Sequence, residues 1–481
     1  MNNDNTYIEK NKEKIIELEQ LASEVLKLKK LHRQRRPIVI EFCGSPKAGK
    51  TSCINSLNLF LKRNGFKTSV LSERASVSPI SDKHNPIFNV WTCTSAINEI
   101  NEKMDRARNG EDIDIIISDR GIFDALCWFR WLKTQHNMSE YEYNVLTKFA
   151  TIYRWQKNID LVYVFMVSPQ ESIEREYANL LTTKRGSIMR ENVLEQYLKS
   201  VKDTIDEYRS EFRATHQIDT TDKEQNDVGY EVTLSTLEVL KDMLIEKIGY
   251  IPKSEITLRE GINDFETIKS SLDSYSFANR DEVESNEQFI QPIPIAVITN
   301  LERNKILCIK KTKQSTSKYS PESGKLLLYA GGHMRQEDET NNKKNNFVST
   351  AKNTLERELL EEIGISYCID NYQPFVLYTP SYGVKSSQHL AIGWIIELNE
   401  KKKLNLDRYE IIQKRGTSKS GNFISFIELE QMFLERRDLL FESWSKEILL
   451  NFFKDKCSEH FINQLITNKS NPQMSLFNNT L

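Results

Sequence analysis

Residues 44 to 51 read GSPKAGKT and fit G-x-x-x-x-G-K-[ST] in full. The run follows an apolar stretch, PIVIEFC, and precedes a helical one, SCINSLNLFLKRNG. That is the strand–loop–helix setting a phosphate cradle needs. Glycines at 44 and 49 let successive backbone N–H groups turn into one concavity, and the helix start adds positive potential. On this reading Gly44, Lys47, Ala48, Gly49, Lys50, Thr51 and Ser52 form an ATP-binding loop. Lys50 reaches the β- and γ-phosphates, and Thr51 offers its hydroxyl to Mg2+.

A second cluster lies in LERELLEEIGI, residues 355 to 365. On a helix Glu358, Glu361 and Glu362 fall at i, i+3 and i+4 and share a face, while Leu359, Leu360 and Ile363 lie on the other side. Gly364 suits the left-handed position just past a helix end. Clustered carboxylates repel one another unless a cation sits between them. Oxygen-only ligation favours Mg2+ or Mn2+. Taken alone, the run is an ordinary solvated helix face.

Further candidates follow the phosphate loop. IDIIISDRG ends an apolar strand with Asp119 and Arg120, and LSERAS places Glu73 and Arg74 at the end of another. Carboxyl ends of strands are where open α/β sheets bind ligands. Residues 171 to 197 carry Arg175, Lys184, Arg185 and Arg190 around small residues, a segment able to close over phosphates and neutralise their charge. Phe88 and Trp91 could stack on a base or belong to the core. Each residue alone is as readily structural; their order after a phosphate loop joins them.

A chain of 481 residues exceeds what one core serves. Hydrophobic and charged contents of 39% and 28% fit a globular chain, and a net charge of −2 gives no overall nucleic-acid footprint. The seven scattered cysteines lack zinc spacing and read as buried free thiols. With no signal-like start and no apolar run near the length of a membrane span, a cytoplasmic protein without membrane contact is expected. Residues 1–35 form an amphipathic helix in which Leu18, Leu21, Val25 and Leu28 follow a coiled-coil spacing. Two readings compete there: a homodimer seam, and packing on the helix's own domain.

Between 36 and 248, apolar strand candidates alternate with helical segments, which predicts a doubly wound parallel sheet. Residues 249–289 read as a polar connector. From 290 to 466 the strand-like runs QPIPIAVITN, NKILCIKK, GKLLLYAGG, PFVLYTP and HLAIGWIIEL predict a mixed sheet with one strong helix. Residues 467–481 read as a polar tail.

With these residues in place, positions 37 to 245 resemble the thymidylate kinase and deoxynucleoside kinase group of P-loop kinases, through GSPKAGKTS, SERA, SDRG, KRGSIMR and IDTTDKEQNDVGYEV. The resemblance implies that Asp119 and Arg120 bind the acceptor end of the substrate. It implies that Glu73 acts as base or positions the acceptor, and that Arg185 and Arg190 clamp the donor phosphates. Two departures stand out. The second strand lacks the Glu-Pro of many members, and Gly121 follows Asp-Arg where they usually carry Ser or Tyr.

RELLEEIGI likewise resembles the second half of the Nudix box, and YAGGH supplies the Gly-Gly that opens it. That resemblance covers about residues 290 to 465. It implies that Glu358, Glu361 and Glu362 bind the metals, that Arg357 orients a carboxylate, and that Glu358 or an acid outside the box is the general base. His333, Tyr382 and His389 are candidates on the substrate side. The middle of the box departs: Asp338 stands where the pattern has Glu, and eighteen residues separate it from Arg357, a longer spacer than the pattern has. The extra residues read as a loop inserted before the helix.

The expected architecture is α/β: an N-terminal doubly wound parallel-sheet, P-loop kinase-like domain and a C-terminal Nudix α/β/α sandwich with a mixed sheet. The expected function is bifunctional: ATP-dependent phosphoryl transfer to a nucleoside or nucleoside monophosphate, and Mg2+-dependent (or Mn2+-dependent) cleavage of a nucleoside diphosphate linked to a group X. The alternatives are a nucleotide-dependent switch that assembles through the N-terminal helix beside a ligand-reading Nudix fold, and loss of chemistry in one domain.

Overall fold

A computed structural model describes residues 2–31, 36–178, 188–312, 322, 324–339, 346–369, 373–407, 411–412, 420–436 and 441–469. The chain divides into two compact units, Met1–Ile245 and Glu246–Leu481.

The first unit runs α1 (Asn2–Leu31), β1 (Ile38–Gly44), α2 (Lys50–Arg63), β2 (Thr68–Leu71), α3 (Pro86–Arg108), β3 (Ile115–Asp119), α4 (Ile122–Thr134), α5 (Glu140–Ala150), α6 (Tyr153–Gln156), β4 (Leu161–Met166), α7 (Pro169–Ala178), α8 (Glu191–Tyr208), β5 (Ala214–Asp219) and α9 (Gln225–Leu244). Its five strands pair in the order β2-β3-β1-β4-β5, all parallel. β1 and β4 are buried at every position, because helices cover both faces of the sheet. The alternate residues of β1 serve two cores. Ile38, Ile40 and Phe42 join α1, α2 and α9, while Val39 and Cys43 join α3, α4 and α8.

The seam expected of α1 is spent inside this unit. Leu18, Ala22 and Val25 are buried, Leu21 and Leu28 are partly buried, and all sit in the core that α9 shares. Ion pairs Lys14–Asp227 and Lys241–Glu24, at 2.7 and 2.9 Å, flank the contact. The homodimer reading of this stripe is therefore unsupported: the residues it relied on already pack on α9.

The second unit runs β6 (Lys247–Pro252), β7 (Gly261–Asn263), α10 (Phe265–Leu272), β8 (Ser276–Asn279), α11 (Arg280–Ser285), β9 (Phe289–Asn300), β10 (Lys305–Cys308), β11 (Ala330–Gly331), α12 (Phe347–Ile363), β12 (Phe375–Tyr378), α13 (Val384–Gln388), β13 (His389–Leu398), β14 (Asn422–Ser425), α14 (Phe426–Arg436), α15 (Ser443–Phe452) and α16 (Glu459–Lys469). Its sheet is mixed. β9 pairs in parallel with β13 and antiparallel with β6, β10 and β11. β9 is buried at every position after Phe289, so this sheet too is covered on both faces.

Residues 249–289, expected as a connector, instead supply three strands. β6 pairs with β8 and β9, and β7 pairs with β12. Ile251, Ile256, Ile268, Leu272 and Tyr275 anchor them in the core, too widely spaced among polar residues to read as strands. GKLLLYAGG forms a strand only at Ala330–Gly331, with isolated bridges from Leu326 and Leu327. The expected tail begins inside α16, and beyond Lys469 it lies outside the described residues. Five of the seven cysteines are buried. Among the described residues no helix is long and apolar enough to cross a membrane.

Candidate functional site

In the first unit the loop after β1 is fixed by backbone that only certain residues accept. Gly44 has φ +107°, and a Cβ there would lie 2.1 Å from the Phe165 carbonyl oxygen. The next amide, Ser45 N–H, donates to that same oxygen at 2.8 Å. Lys47 and Gly49 also adopt positive φ, 56° and 86°, and Gly49 opens α2. Lys50 turns back into the loop, donating to the carbonyls of Gly44 at 3.1 Å and Ser45 at 2.7 Å. Burial, helped by the charge of Arg120, lowers its pKa to about 8. Ala48 is buried, while Thr51 and Ser52 are exposed.

A cavity of about 600 Å³ opens over this loop, and Glu73, Asp119, Arg120 and Arg175 line it as well. Asp119 ends β3, where Thr51 Oγ1 donates to its Oδ2 at 3.4 Å; burial raises its pKa. Arg120 takes a left-handed turn, φ 71°, between β3 and α4. Its Nε pairs with Glu73 at 2.6 Å and its Nη1 with Asp124 at 3.2 Å. The structure thus brings Lys50, Thr51, Glu73, Asp119 and Arg120 together. Arg74 turns away to Glu99. Arg175 is tied down by Glu171, Thr220 and the Lys47 carbonyl. Arg190 is exposed at the N-cap of α8, and Lys184 and Arg185 lie outside the described residues. Phe88 is buried on α3 and Trp91 is half-buried.

Two acids escaped the sequence reading. Glu41, fully buried on β1, accepts from the Phe123 and Asp124 amides at 3.2 and 2.9 Å, the free donors of the α4 N-terminus. Asp124 pairs with Arg120 and accepts from Gly44 N–H at 3.4 Å. A Cβ on residue 121 would lie 2.7 Å from Glu41 Oε2, so Gly121 makes room for this carboxyl group. The signal was visible as the one charge in PIVIEFC.

In the second unit Arg357 resolves the spacing of the box. Its Nε and Nη2 form a fork on the two oxygens of Asp338 at 2.7 and 2.8 Å. Asp338 also accepts from Thr354 Oγ1 and Arg335 N–H. α12 begins at Phe347, capped by the Asn346 side chain, so part of the expected loop insertion is extra helix. Residues 340–345 lie outside the described residues.

Nη1 of Arg357 reaches Glu358 Oε1 at 2.5 Å and Glu361 Oε2 at 3.3 Å, and Arg335 Nη2 lies 3.7 and 3.6 Å from the same two oxygens. Glu358 and Glu361 therefore already share two guanidinium groups. Glu358 fills the space beside Gly332, where a Cβ would sit 2.7 Å from its carboxyl carbon. Glu362 is placed differently: Oε2 accepts from Gly331 N–H at 3.3 Å and Oε1 pairs with Lys311 at 3.2 Å. Among the described residues no three acidic, His or Cys side chains converge as a ready-made metal cage. Gly364 ends α12 at φ 70°.

His333 follows Gly332, and its ring meets Gln291 Oε1 at 2.9 Å and stands 5.9 Å from His389. Burial holds both imidazoles neutral: His389 falls to about 4, and His333 well below its usual value. Tyr382 is half-buried in a short turn after β12.

Fold and sites together describe a two-unit α/β protein, one unit on an all-parallel sheet and one on a mixed sheet. No family model matches the chain, and no curated protein matches it. Solved structures similar to it include Tm1382, assigned as a Nudix hydrolase, at 22% identity over 43% of this chain and all of that one, with a TM-score of 0.30. They also include deoxyadenosine kinase from M. mycoides with the products dCMP and dCDP, at 17% identity over 42% of this chain and 99% of that one, TM-score 0.31, and the same enzyme with dCTP at 0.30. Likenesses at these TM-scores decide nothing about this chain.

Proposed function

We propose that the chain is a bifunctional nucleotide enzyme. The first unit transfers a phosphoryl group from ATP to a nucleoside or nucleoside monophosphate; the second cleaves the pyrophosphate bond of a nucleoside diphosphate derivative. One pattern carries the reading: in each unit, charged side chains from distant segments converge where a phosphate chain would lie.

In the first unit the loop amides and Lys50 would hold the donor phosphates, and Thr51 and Asp119, 3.4 Å apart, would hold Mg2+, which supplies charge neutralisation of those phosphates. Arg120, fixed by Glu73 and Asp124, meets the acceptor. Glu73 orients the acceptor hydroxyl or takes its proton. Arg185 and Arg190 would close on the donor.

In the second unit Glu358, Glu361 and Glu362 offer the oxygen-only donors that Mg2+ or Mn2+ takes, and an ion there would take the place of the Arg357 guanidinium on Glu358 and Glu361. When bound, the metal polarises phosphate oxygens and activates water. Arg357, braced on Asp338, sets the carboxylates in place. Neutral His333 and His389 offer hydrogen bonds to an uncharged part of the substrate. The alternative of a switch assembled through α1 has no support, since α1 is buried against its own unit.

One panel on the full-length chain tests both assignments. ATP turnover should rise only with a matching nucleoside or nucleoside monophosphate, and Lys50→Ala should abolish it while leaving pyrophosphate cleavage intact. Glu361→Gln should lower Mg2+-dependent cleavage by orders of magnitude and spare the kinase. Acceptor-independent ATP turnover that Lys50→Ala still abolishes would sink the kinase assignment. Near-normal cleavage by Glu361→Gln would put the metal elsewhere.

A further inference from the structure

Two segments that wall the cavity of the first unit each carry a non-glycine residue in the left-handed region. Lys47, φ 56°, sits in the phosphate loop. Asp222, φ 55°, sits in the turn between β5 and α9, whose Thr220 and Lys223 line the cavity. Such backbone persists only where neighbours hold it. One side-chain pair on α7 holds both. Arg175 Nη1 donates to the Lys47 carbonyl oxygen at 3.3 Å and to Thr220 Oγ1 at 3.0 Å, and its Nη2 donates to the Thr220 carbonyl oxygen at 2.7 Å. Glu171, one helical turn earlier, accepts from Arg175 Nη2 at 2.5 Å and from Asp222 N–H at 3.0 Å, one on each oxygen. Ser172 Oγ donates to the Pro46 carbonyl at 2.9 Å, and Glu176 Oε2 lies 2.7 Å from Lys47 Nζ. Residues 172, 175 and 176 fall at i, i+3 and i+4, so one face of α7 grips the top of the loop. The sequence suggests a phosphate-neutralising cation at Arg175. In the structure both of its terminal nitrogens are engaged by protein oxygens, and a planar fork spans the loop and the turn together, which an ammonium cannot do.

We propose that Arg175 is a positioning residue of the first site: with Glu171 it forms a strut that fixes the phosphate loop against the β5–α9 turn and so sets the loop amides for the donor's α- and β-phosphates. This rests on the reading of that loop as the donor-phosphate site. The contribution of Arg175 is geometry, not charge. It therefore acts on every nucleotide whose phosphates lie in the loop, with or without a γ-phosphate.

The test is titration calorimetry of the full-length chain with ADP and with a non-hydrolysable ATP analogue, each with Mg2+, beside the thermal midpoint of the first unit. Arg175→Ala should raise both Kd values by about tenfold or more, as loss of charge-assisted hydrogen bonds does, and leave their ratio unchanged. Arg175→Lys keeps the charge and should bind no better than Arg175→Ala. Glu171→Ala should raise both Kd values, and the double variant should lose no more than Arg175→Ala alone, because both changes cut one strut. Thr220→Val, which removes a single acceptor, should raise both by about threefold. Binding restored in Arg175→Lys, or a loss confined to the ATP analogue, would make Arg175 a phosphate cation and overturn the proposal while the loop reading stands. A lowered midpoint with both Kd values unchanged would overturn it as well, leaving Arg175 a stabilising residue only. A wild type that binds neither nucleotide would remove the loop reading and the proposal with it. Where Arg175→Ala fails to fold, Glu171→Ala and Thr220→Val decide: unchanged Kd values in both would overturn the strut.

Discussion

Glu41 is a carboxyl group buried among Val39, Cys43 and α4, and its environment pulls in two directions. Burial raises its pKa from 4.5 to about 7, although the amides of Asp124 and Phe123 favour the charged form and Asp124 opposes it. In the unfolded chain the same group ionises near its ordinary value. Between about pH 4.5 and 7 the folded state therefore holds more protons than the unfolded one, and stability falls as pH rises through that window. The full span is worth on the order of 3 kcal/mol. Glu41→Gln keeps an acceptor for the helix end and removes the titration. The variant should match the wild type near pH 4.5 and be more stable than it near pH 7.5, read from denaturant midpoints of the first unit. Parallel pH curves would show that Glu41 does not titrate there. The coupling of Glu41 to Gly121 was not legible in the sequence, because it joins positions eighty residues apart through space alone. The glycines and lysine of the loop were legible, because their chemistry is local. Arg357 and Asp338 were legible as types, and the fold closed the gap between them.

Elements show the same division. The inner strands β1, β3 and β4 of the first unit read correctly because apolar runs buried on both faces have no other use, whereas the half-exposed edges β2 and β5 read from their place in the strand–helix alternation. α1 did not, because a stripe at Leu18, Leu21, Val25 and Leu28 has one period whether it meets a second copy or α9. Ala22, at no exposure in the middle of that face, lets the backbones approach. Leu18→Ala should cost about 2–4 kcal/mol of the first unit's stability, as core truncations do. Its midpoint and that of the wild type should be unchanged between protein concentrations roughly a hundredfold apart, since a dimer seam would shift them by mass action. A midpoint that climbs with concentration would restore the dimer. The strands β6 to β8 were missed for a different reason: they are short, and single isoleucines, not runs, hold them in the core.

At the scale of the whole molecule, the cores divide where the chain divides. Among the described residues no buried cluster draws from both sides of the boundary between Ile245 and Glu246. A chain with separate cores should not unfold as one two-state system. Calorimetry of the full-length chain should show two transitions, and each proposed site supplies its own label. A non-hydrolysable ATP analogue with Mg2+, at about a hundred times its Kd, adds about 2.7 kcal/mol to the unit that binds it. In a unit of this size that raises one midpoint by roughly 5–10 °C. The other midpoint should move no more than it does with Mg2+ alone, because the analogue is bound through the loop after β1. Lys50→Ala should abolish the analogue's shift and leave the second transition in place. A single transition raised by the analogue would instead mean that phosphate binding at Lys50 stabilises the carboxylate helix as well, and the two activities would then have to be treated as linked.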